Sequence, residues 1–259
     1  MKQISFLLII ATFFTYSQLH AQRSVRGNGN LVKKSRNIGN FSAIEIGGEV
    51  NVFLSQGSSN SIEIEADENL HEYIITEISG DKLVIKNEVD IKDAKKLDIY
   101  VVFKEIDELY GHGATDIEAL TAIKTSNNFK LSASGAVDIE LKKGLTCQNI
   151  AMSSSGSSDL YVDKLDAQDL DAKVSGSSDL ELEGTANSIV LSSSGASDID
   201  AKNLIVKTAN VTASGSSDIY IHVTEKLSAV ASGSSDVYYS GNPDIQMIKS
   251  NAAADIVKQ

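Results

Sequence analysis

Seven aspartates each follow a glycine by three residues: Asp116 after Gly113, Asp138 after Gly135, Asp159 after Gly156, Asp179 after Gly176, Asp198 after Gly195, Asp218 after Gly215 and Asp236 after Gly233. An eighth, Asp255, follows Ala252 at the same distance. Carboxylates repeated this way can do three kinds of chemistry. Between stacked units they can supply hard oxygen ligands to calcium. Clustered on one face they can act as the acids of a polysaccharide-cleaving enzyme, which needs two carboxyls in unequal environments to separate their pKa values. They can also accept hydrogen bonds from turn amides and serine hydroxyls and simply hold a corner. The same acid in every unit reads as a ladder, and the Gly-Gly-x-Gly-x-Asp pattern of calcium-binding β-rolls is absent. The hydrogen-bonded corner is therefore the expectation, with calcium as the cofactor alternative; no catalytic, metal or cofactor-binding residue is assigned.

The other reactive side chains are scattered. His71, His112 and His222 lie far apart, and only His112, in Gly111-His112-Gly113, falls at an expected turn, where a solvated histidine is the simpler reading than a general base. Serines are abundant because of the repeat, and no Gly-x-Ser-x-Gly stands in a triad context. Cys147 is the single cysteine, so it makes no bridge within the chain and reads as a small buried thiol.

What must position the aspartates is legible in their spacing. Successive steps are 22, 21, 20, 19, 20, 18 and 19 residues, a period of about 20. Four residues before the glycine stand Leu109, Leu131, Met152, Ala172, Leu191, Val211, Ala229 and Ile248, and four after it Ile117, Ile139, Leu160, Leu180, Ile199, Ile219, Val237 and Ile256. Six before and six after run two looser apolar columns, the second ending at Tyr239. Apolar residues two apart, as in Asp179-Leu180-Glu181-Leu182-Glu183, mean short strands with one buried face. Such strands bury that face by coiling, each coil pairing in parallel with the next so that like residues stack about 4.8 Å apart. The predicted fold is all-β: a parallel β-helix, right-handed as parallel crossovers are, of about eight coils. The glycines, Gly113 to Gly233, are corner residues, needed where stacked turns leave no room for a side chain. The last coil, with Ala252 for glycine and Lys258 in a core column, reads as a polar cap against edge pairing.

Residues 22–108 alternate as strands too, without the repeat; Gly48-x-x-Asn51-Val52 and Gly57-x-x-Asn60 are weak echoes of it, so this part is expected to form wider early coils or a sheet over the first end. Residues 109–259 form the repeat, with a continuous core across the boundary. Residues 1–21, with Lys2, the apolar run Ile4–Phe14 and the ending Leu19-His20-Ala21, have the parts of a secretory signal peptide. No later stretch approaches the length of a transmembrane helix. The expected location is periplasmic, secreted or held at the cell surface by a partner. The formal charge of -12, from 23 Lys and Arg against 35 Asp and Glu, argues against nucleic acid and anionic membranes as partners.

The opening Phe41-x-x-Ile44-x-Ile46-Gly-Gly-x-Val50-x-Val52, the following Gln56-Gly57 and the serial Ser-Gly-Ser-Ser-Asp-aliphatic units resemble the head GIN domain family of autotransporter adhesins, found in envelope proteins of the Bacteroidetes, over nearly all of residues 37–259. The resemblance implies a β-helical extracytoplasmic protein without established enzymatic activity. The expected function is accordingly a non-catalytic binding or structural module, with an envelope protein or glycan as ligand. Outward strand tyrosines, Tyr161, Tyr220, Tyr238 and Tyr239, are candidates to stack on sugars. The alternatives are a polysaccharide-active enzyme and a self-assembling ladder protein that forms homo-oligomers.

Overall fold

The computed structural model describes residues 23–251 and 253–259. The expected signal peptide and the Ala252 substitution lie outside the described residues.

Among the described residues there are twenty-one strands and one 3-10 turn (Glu68–Leu70). The repeat begins with β10 (Glu108–Ala119) and runs through β11 (Ile123–Lys124), β12 (Asn128–Leu141), β13 (Leu145–Thr146), β14 (Asn149–Gly156), β15 (Asp159–Gly176), β16 (Leu180–Gly195), β17 (Ile199–Gly215), β18 (Asp218–Gly233), β19 (Asp236–Ser240), β20 (Asp244–Ser250) and β21 (Ile256–Lys258). Every ladder among them is parallel and joins one coil to the next, with Gly113 opposite Gly135, Gly135 opposite Gly156, Gly176 opposite Gly195, and Gly195 opposite Gly215. The fold is a parallel β-helix, as the periodicity requires.

Each coil has three sides. The first is the strand leading to the glycine; the second follows the aspartate; the third is a short bridge, Ile123–Lys124 against Leu145–Thr146, then Leu165 and Asp166. The apolar columns of sides one and two point inward and are almost fully buried from Leu109 to Val237, and the third side adds Ile123, Leu145, Leu165, Leu204 and Val223 to the same cluster. Cys147 takes an inward position there and is buried, as expected.

The glycine corner has a steric cause. Eight glycines, Gly48, Gly113, Gly135, Gly156, Gly176, Gly195, Gly215 and Gly233, form one column, all with φ between 83° and 105°. At Gly176 (φ 88°) a Cβ would lie 2.6 Å from the carbonyl oxygen of Gly156, so both the dihedral and the stacking exclude a side chain.

The N-terminal part comprises β1 (Ser24–Arg26), β2 (Leu31–Arg36), β3 (Ala43–Ile46), β4 (Glu49–Gln56), β5 (Ser61–Asp67), β6 (Ile74–Ser79), β7 (Lys82–Asn87), β8 (Asp90–Lys92) and β9 (Leu97–Phe103). It is both things the sequence allows. β3 and β4 make a coil of the helix itself, parallel to β10, with Gly48 at the corner and Asn51 opposite Asp116. β7 and β9 stack in parallel on the outer side of that coil, and β6, β5 and β2 then close the end antiparallel. The chain thus doubles back: residues 43–56 lie between a coil that follows them in sequence and the start of the repeat. The buried Asp67 pins this cap, accepting main-chain N–H groups from Gly29 and, at 2.7 Å, Lys95. Gly57-x-x-Asn60 is not an echo of the corner: Gly57 stands at the end of β4, outside the glycine column, because the chain turns there toward the antiparallel cap.

The opposite end departs from expectation. β20 stacks on β18, yet all its residues are exposed, Ile248 by 41%. Lys258 stacks on Tyr239, the preceding member of its column, and is exposed. The cause is positional: no described rung covers the outer edge of β20, so its column residues stay wet, whereas Ala254 and Ile256 on the other side of the same coil still pack against the core.

Candidate binding surfaces

The aspartates come together as one column along a corner of the helix, and the five carboxylates from Asp159 to Asp236 are used in the same way. Asp159 Oδ1 accepts the main-chain N–H of Asp179 at 3.2 Å, Asp179 that of Asp198 at 3.2 Å, Asp198 that of Asp218 at 2.8 Å, Asp218 that of Asp236 at 3.1 Å, and Asp236 that of Asp255 at 2.8 Å. Turn amides thus offset the repulsion between stacked charges. Burial first, then neighbouring aspartates, raises the pKa of Asp138 and Asp218 above the ordinary carboxylate value. At the N-terminal end the column continues through Asn51 and Asp98, where the Asn51 amide donates to Asp98 Oδ1 at 3.1 Å and Lys96 lies 3.0 Å from Asp98 Oδ2. Asp98 escaped the sequence reading because no glycine precedes it; only the Asp-aliphatic pair Asp98-Ile99 marks it.

The serine hydroxyls do not hold the carboxylates, contrary to expectation. Two residues after the glycine the chain points inward, so Ser158, Ser178, Ser197, Ser217 and Ser235 are wholly buried between the outward neighbours on either side. Their hydroxyls turn to main-chain carbonyls instead: Ser158 donates to Ser155 O at 3.2 Å, Ser197 to Ser194 O at 3.1 Å, Ser217 to Ser214 O at 3.0 Å and Ser235 to Ser232 O at 2.8 Å. These serines satisfy a polar corner inside the apolar core.

Beside the aspartates, two residues further along side two, runs a second outward column containing Glu118, Glu140, Tyr161, Glu181, Asp200, Tyr220 and Tyr238. Tyr220 and Tyr238 stack with centroids 4.8 Å apart, and Phe53 and Tyr100 do the same at 5.0 Å near the N-terminal end. Tyr161 lies under the Lys142 ammonium at 5.1 Å. Tyr238 donates to Asp236 Oδ2 at 3.0 Å, and that bond to a carboxylate pushes its pKa up to about 12. Tyr239 is half-buried against the core, so the outward reading fails for that residue. Among the described residues no three His, Cys, Asp or Glu side chains converge as a metal-ligating group.

A further recess lies elsewhere, on side one near its corner with side three. It is a groove of about 700 Å³ running from Asp81 and Asp107 across successive coils to Ser188 and Val190. One wall is the stacked column Asn128, Asn149, Asp169 and Ser188; beside it stands the column Lys130, Ala151, Asp171 and Val190. The Asn128 and Asn149 amides meet at 2.7 Å, Ser188 Oγ donates to Asp169 Oδ1 at 2.7 Å, and Lys130 pairs with Glu108 at 3.1 Å. Sequence reasoning missed this surface because its columns keep one position in the period while changing residue type. The available signal was that outward positions five and seven residues before the glycine carry carboxylates and amides in several coils.

The remaining candidates stay apart. His71 is buried in the N-terminal cap against Val32 O at 3.0 Å, with its pKa below the ordinary value because of burial. His112 lies at the first repeat corner, 3.6 Å from Glu45, and His222 meets Ser240 Oγ at 2.8 Å. Burial, with the charge of Asp166 second, pushes the Cys147 thiol up to about 11.

Comparison with known proteins decides the family. The profile of the family described as "Putative auto-transporter adhesin, head GIN domain" matches residues 40–243. The chain belongs to the head GIN domain family. Its glycine corners and aspartate ladder therefore lie within the matched span, apart from the last rung at Asp255. Among solved structures this GIN domain is similar to one described as a putative adhesin from Parabacteroides merdae, at 26% identity and a TM-score of 0.84, over 92% of this chain and all of that one. It also shares its fold with a putative adhesin from Parabacteroides distasonis (21% identity, TM-score 0.85) and with a putative lipid binding protein from the same organism (22%, 0.81), each over 91% of this chain and all of that one. No curated protein matches it. Among the described residues no helix of the GIN domain is long and apolar enough to cross a membrane.

Proposed function

We propose that this GIN domain is an exported, non-catalytic binding module of the cell envelope, and that the groove on side one is its ligand surface, with a glycan chain as the ligand. The observation that carries the reading is the groove itself: about 700 Å³, open along the helix axis, with amide, carboxylate and hydroxyl groups repeating coil by coil beside Ala151 and Val190. A polyhydroxylated chain presents alternating hydroxyls and apolar ring faces, and planar amides and carboxylates beside small apolar patches match both. The adhesin description of the family and of the Parabacteroides merdae structure supports a binding role. A non-catalytic role is supported by the repeated use of the ladder carboxylates from Asp159 to Asp236, each engaged by the next coil's amide. Catalysis by a carboxyl pair calls for one acid and one base held apart in pKa.

The test is a binding screen of the purified protein against envelope glycans, repeated with Asn149→Ala combined with Asp171→Ala. Those outward substitutions are expected to abolish retention of whichever glycan is captured while leaving the melting curve unchanged. Release of new reducing ends from the captured glycan would refute the non-catalytic reading. Binding that survives the double substitution would place the ligand on another face.

A further inference from the structure

The C-terminal end of the β-helix is an unfinished core. Ile245 sits over Leu227 and Ile248 over Ala229, continuing two columns whose earlier members are fully buried, yet they remain 40% and 41% exposed. Met247, at 36%, and Val257, at 42%, add exposed apolar surface on the outward side of the same coil, over Ser228 and Tyr238. Among the described residues β20 has only β18 as its ladder partner and β21 only β19, so the outer main-chain groups of both strands are free to pair. An exposed strand edge over an apolar inner face is a template for another strand.

The residues of β20 indicate which strand. Read against itself in the opposite direction, Asp244-Ile245-Gln246-Met247-Ile248-Lys249 is self-complementary. With a two-fold axis between Gln246 and Met247, Asp244 faces the partner's Lys249, Ile245 faces the partner's Ile248, and Gln246 faces the partner's Met247. Residues directly opposite in an antiparallel pair share a face of the sheet. The parity agrees with the coil: Ile245 and Ile248 both continue inward columns, whereas Asp244 and Lys249 stack on the outward Lys226 and Val230. Lys249 and the bulge where the register slips after Ile245 blunt this edge against indiscriminate pairing. Asp244 opposite Lys249 selects one register.

We propose that the last coil is a self-association surface, through which two copies of this chain join tail to tail by antiparallel pairing of β20. The symmetric contact covers Ile245, Met247 and Ile248 of both copies and makes two identical Asp244–Lys249 ion pairs.

Sedimentation velocity over a concentration series tests this on the purified full chain. The wild type is expected to show a monomer–dimer equilibrium. Lys249→Asp sets aspartate against aspartate twice and Asp244→Lys sets lysine against lysine twice, so each single variant should dimerise about tenfold more weakly or worse. An equimolar mixture of the two single variants should regain dimers, because each supplies the charge that the other lacks, and the double variant Asp244→Lys with Lys249→Asp should dimerise alone. Circular dichroism melts guard against misfolding; these exposed substitutions should leave the melt in place. A wild type that stays monomeric at every concentration, single variants that dimerise undiminished, or a mixture that fails to recover would each overturn the proposal.

Discussion

Replacing Asp218 by Asn should stabilise the protein at neutral pH, although it removes a charge-assisted hydrogen bond. Asp218 has Asp198 and Asp236 as like-charged neighbours on adjacent coils. At a rung spacing of about 4.8 Å, each neighbour contributes about 0.9 kcal/mol of repulsion in water and about 3.5 kcal/mol at an effective dielectric of 20. The residue is half-buried, and the water limit is the safer one, so neutralising it relieves about 2 kcal/mol from the two neighbours together. Against this, the Asp236 N–H, donated to Asp218 Oδ1 at 3.1 Å, would meet a neutral amide oxygen, a loss of about 1 kcal/mol. The net gain is about 0.5–1 kcal/mol, or a rise in Tm of about 1–4 °C for a domain of this size. The sign with pH follows from the raised pKa. A carboxyl that binds its proton more tightly folded than unfolded favours the folded state below its unfolded pKa, and that contribution is lost as pH rises through the folded pKa. The advantage of Asp218→Asn should therefore be largest near pH 7, shrink on acidification toward about pH 4, and shrink with added salt. Calorimetry on both proteins across that range is the assay. A variant that melts lower than wild type at pH 7 in low salt would refute the reasoning, because it would mean that the carboxylate charge is held by something stronger than a turn amide, a calcium ion among the possibilities.

Two further predictions rest on the corner and the core. Gly195→Ala would place a Cβ 2.7 Å from the carbonyl oxygen of Gly176 at a φ of 92°, so urea unfolding should show a loss of about 3 kcal/mol or more, whereas Ser216→Ala, one residue beyond a glycine corner and exposed, should change stability by less than about 0.5 kcal/mol. The Cys147 thiol, with its pKa near 11, should be about 1,000-fold short of thiolate at pH 8; a maleimide should label it in urea and leave it untouched in the folded protein over the same time.

The period was legible because corner chemistry is unforgiving: only glycine fits at Gly176 or Gly195, so the sequence repeats there without exception until the last coil. The core columns were legible for the related reason that a two-residue alternation leaves no other face to bury. Other features were hidden by physics that alternation does not encode. Strands β5 and β9 alternate like any strand in the repeat, yet pair antiparallel, so the doubling back of the N-terminal part left no trace in the pattern. The third side is too short, two residues in β11 and β13, to create a period of its own. Burial of Ser158 and its equivalents was missed because a serine read in isolation belongs to a solvated turn, whereas here it closes the inner side of one. The groove was invisible for the opposite reason: outward residues on a scaffold of fixed period are free to vary, so Asn149, Asp171 and Ser188 break the repeat that revealed the corners and the core.

The most direct test of the account is a pair of engineered cysteine couples in a Cys147→Ala background. Lys173 and Ser192 stand opposite each other on adjacent coils, and Thr212 stands opposite Ser192 one coil further on. Adjacent rungs lie about 4.8 Å apart, inside the Cα range of a disulfide, and alternate rungs about 9.6 Å apart, outside it. Mild oxidation should therefore close Lys173→Cys with Ser192→Cys readily and leave Lys173→Cys with Thr212→Cys open. Bridging of the second couple in preference to the first would contradict the stacked-coil architecture on which the ladder, the groove and the open end all depend.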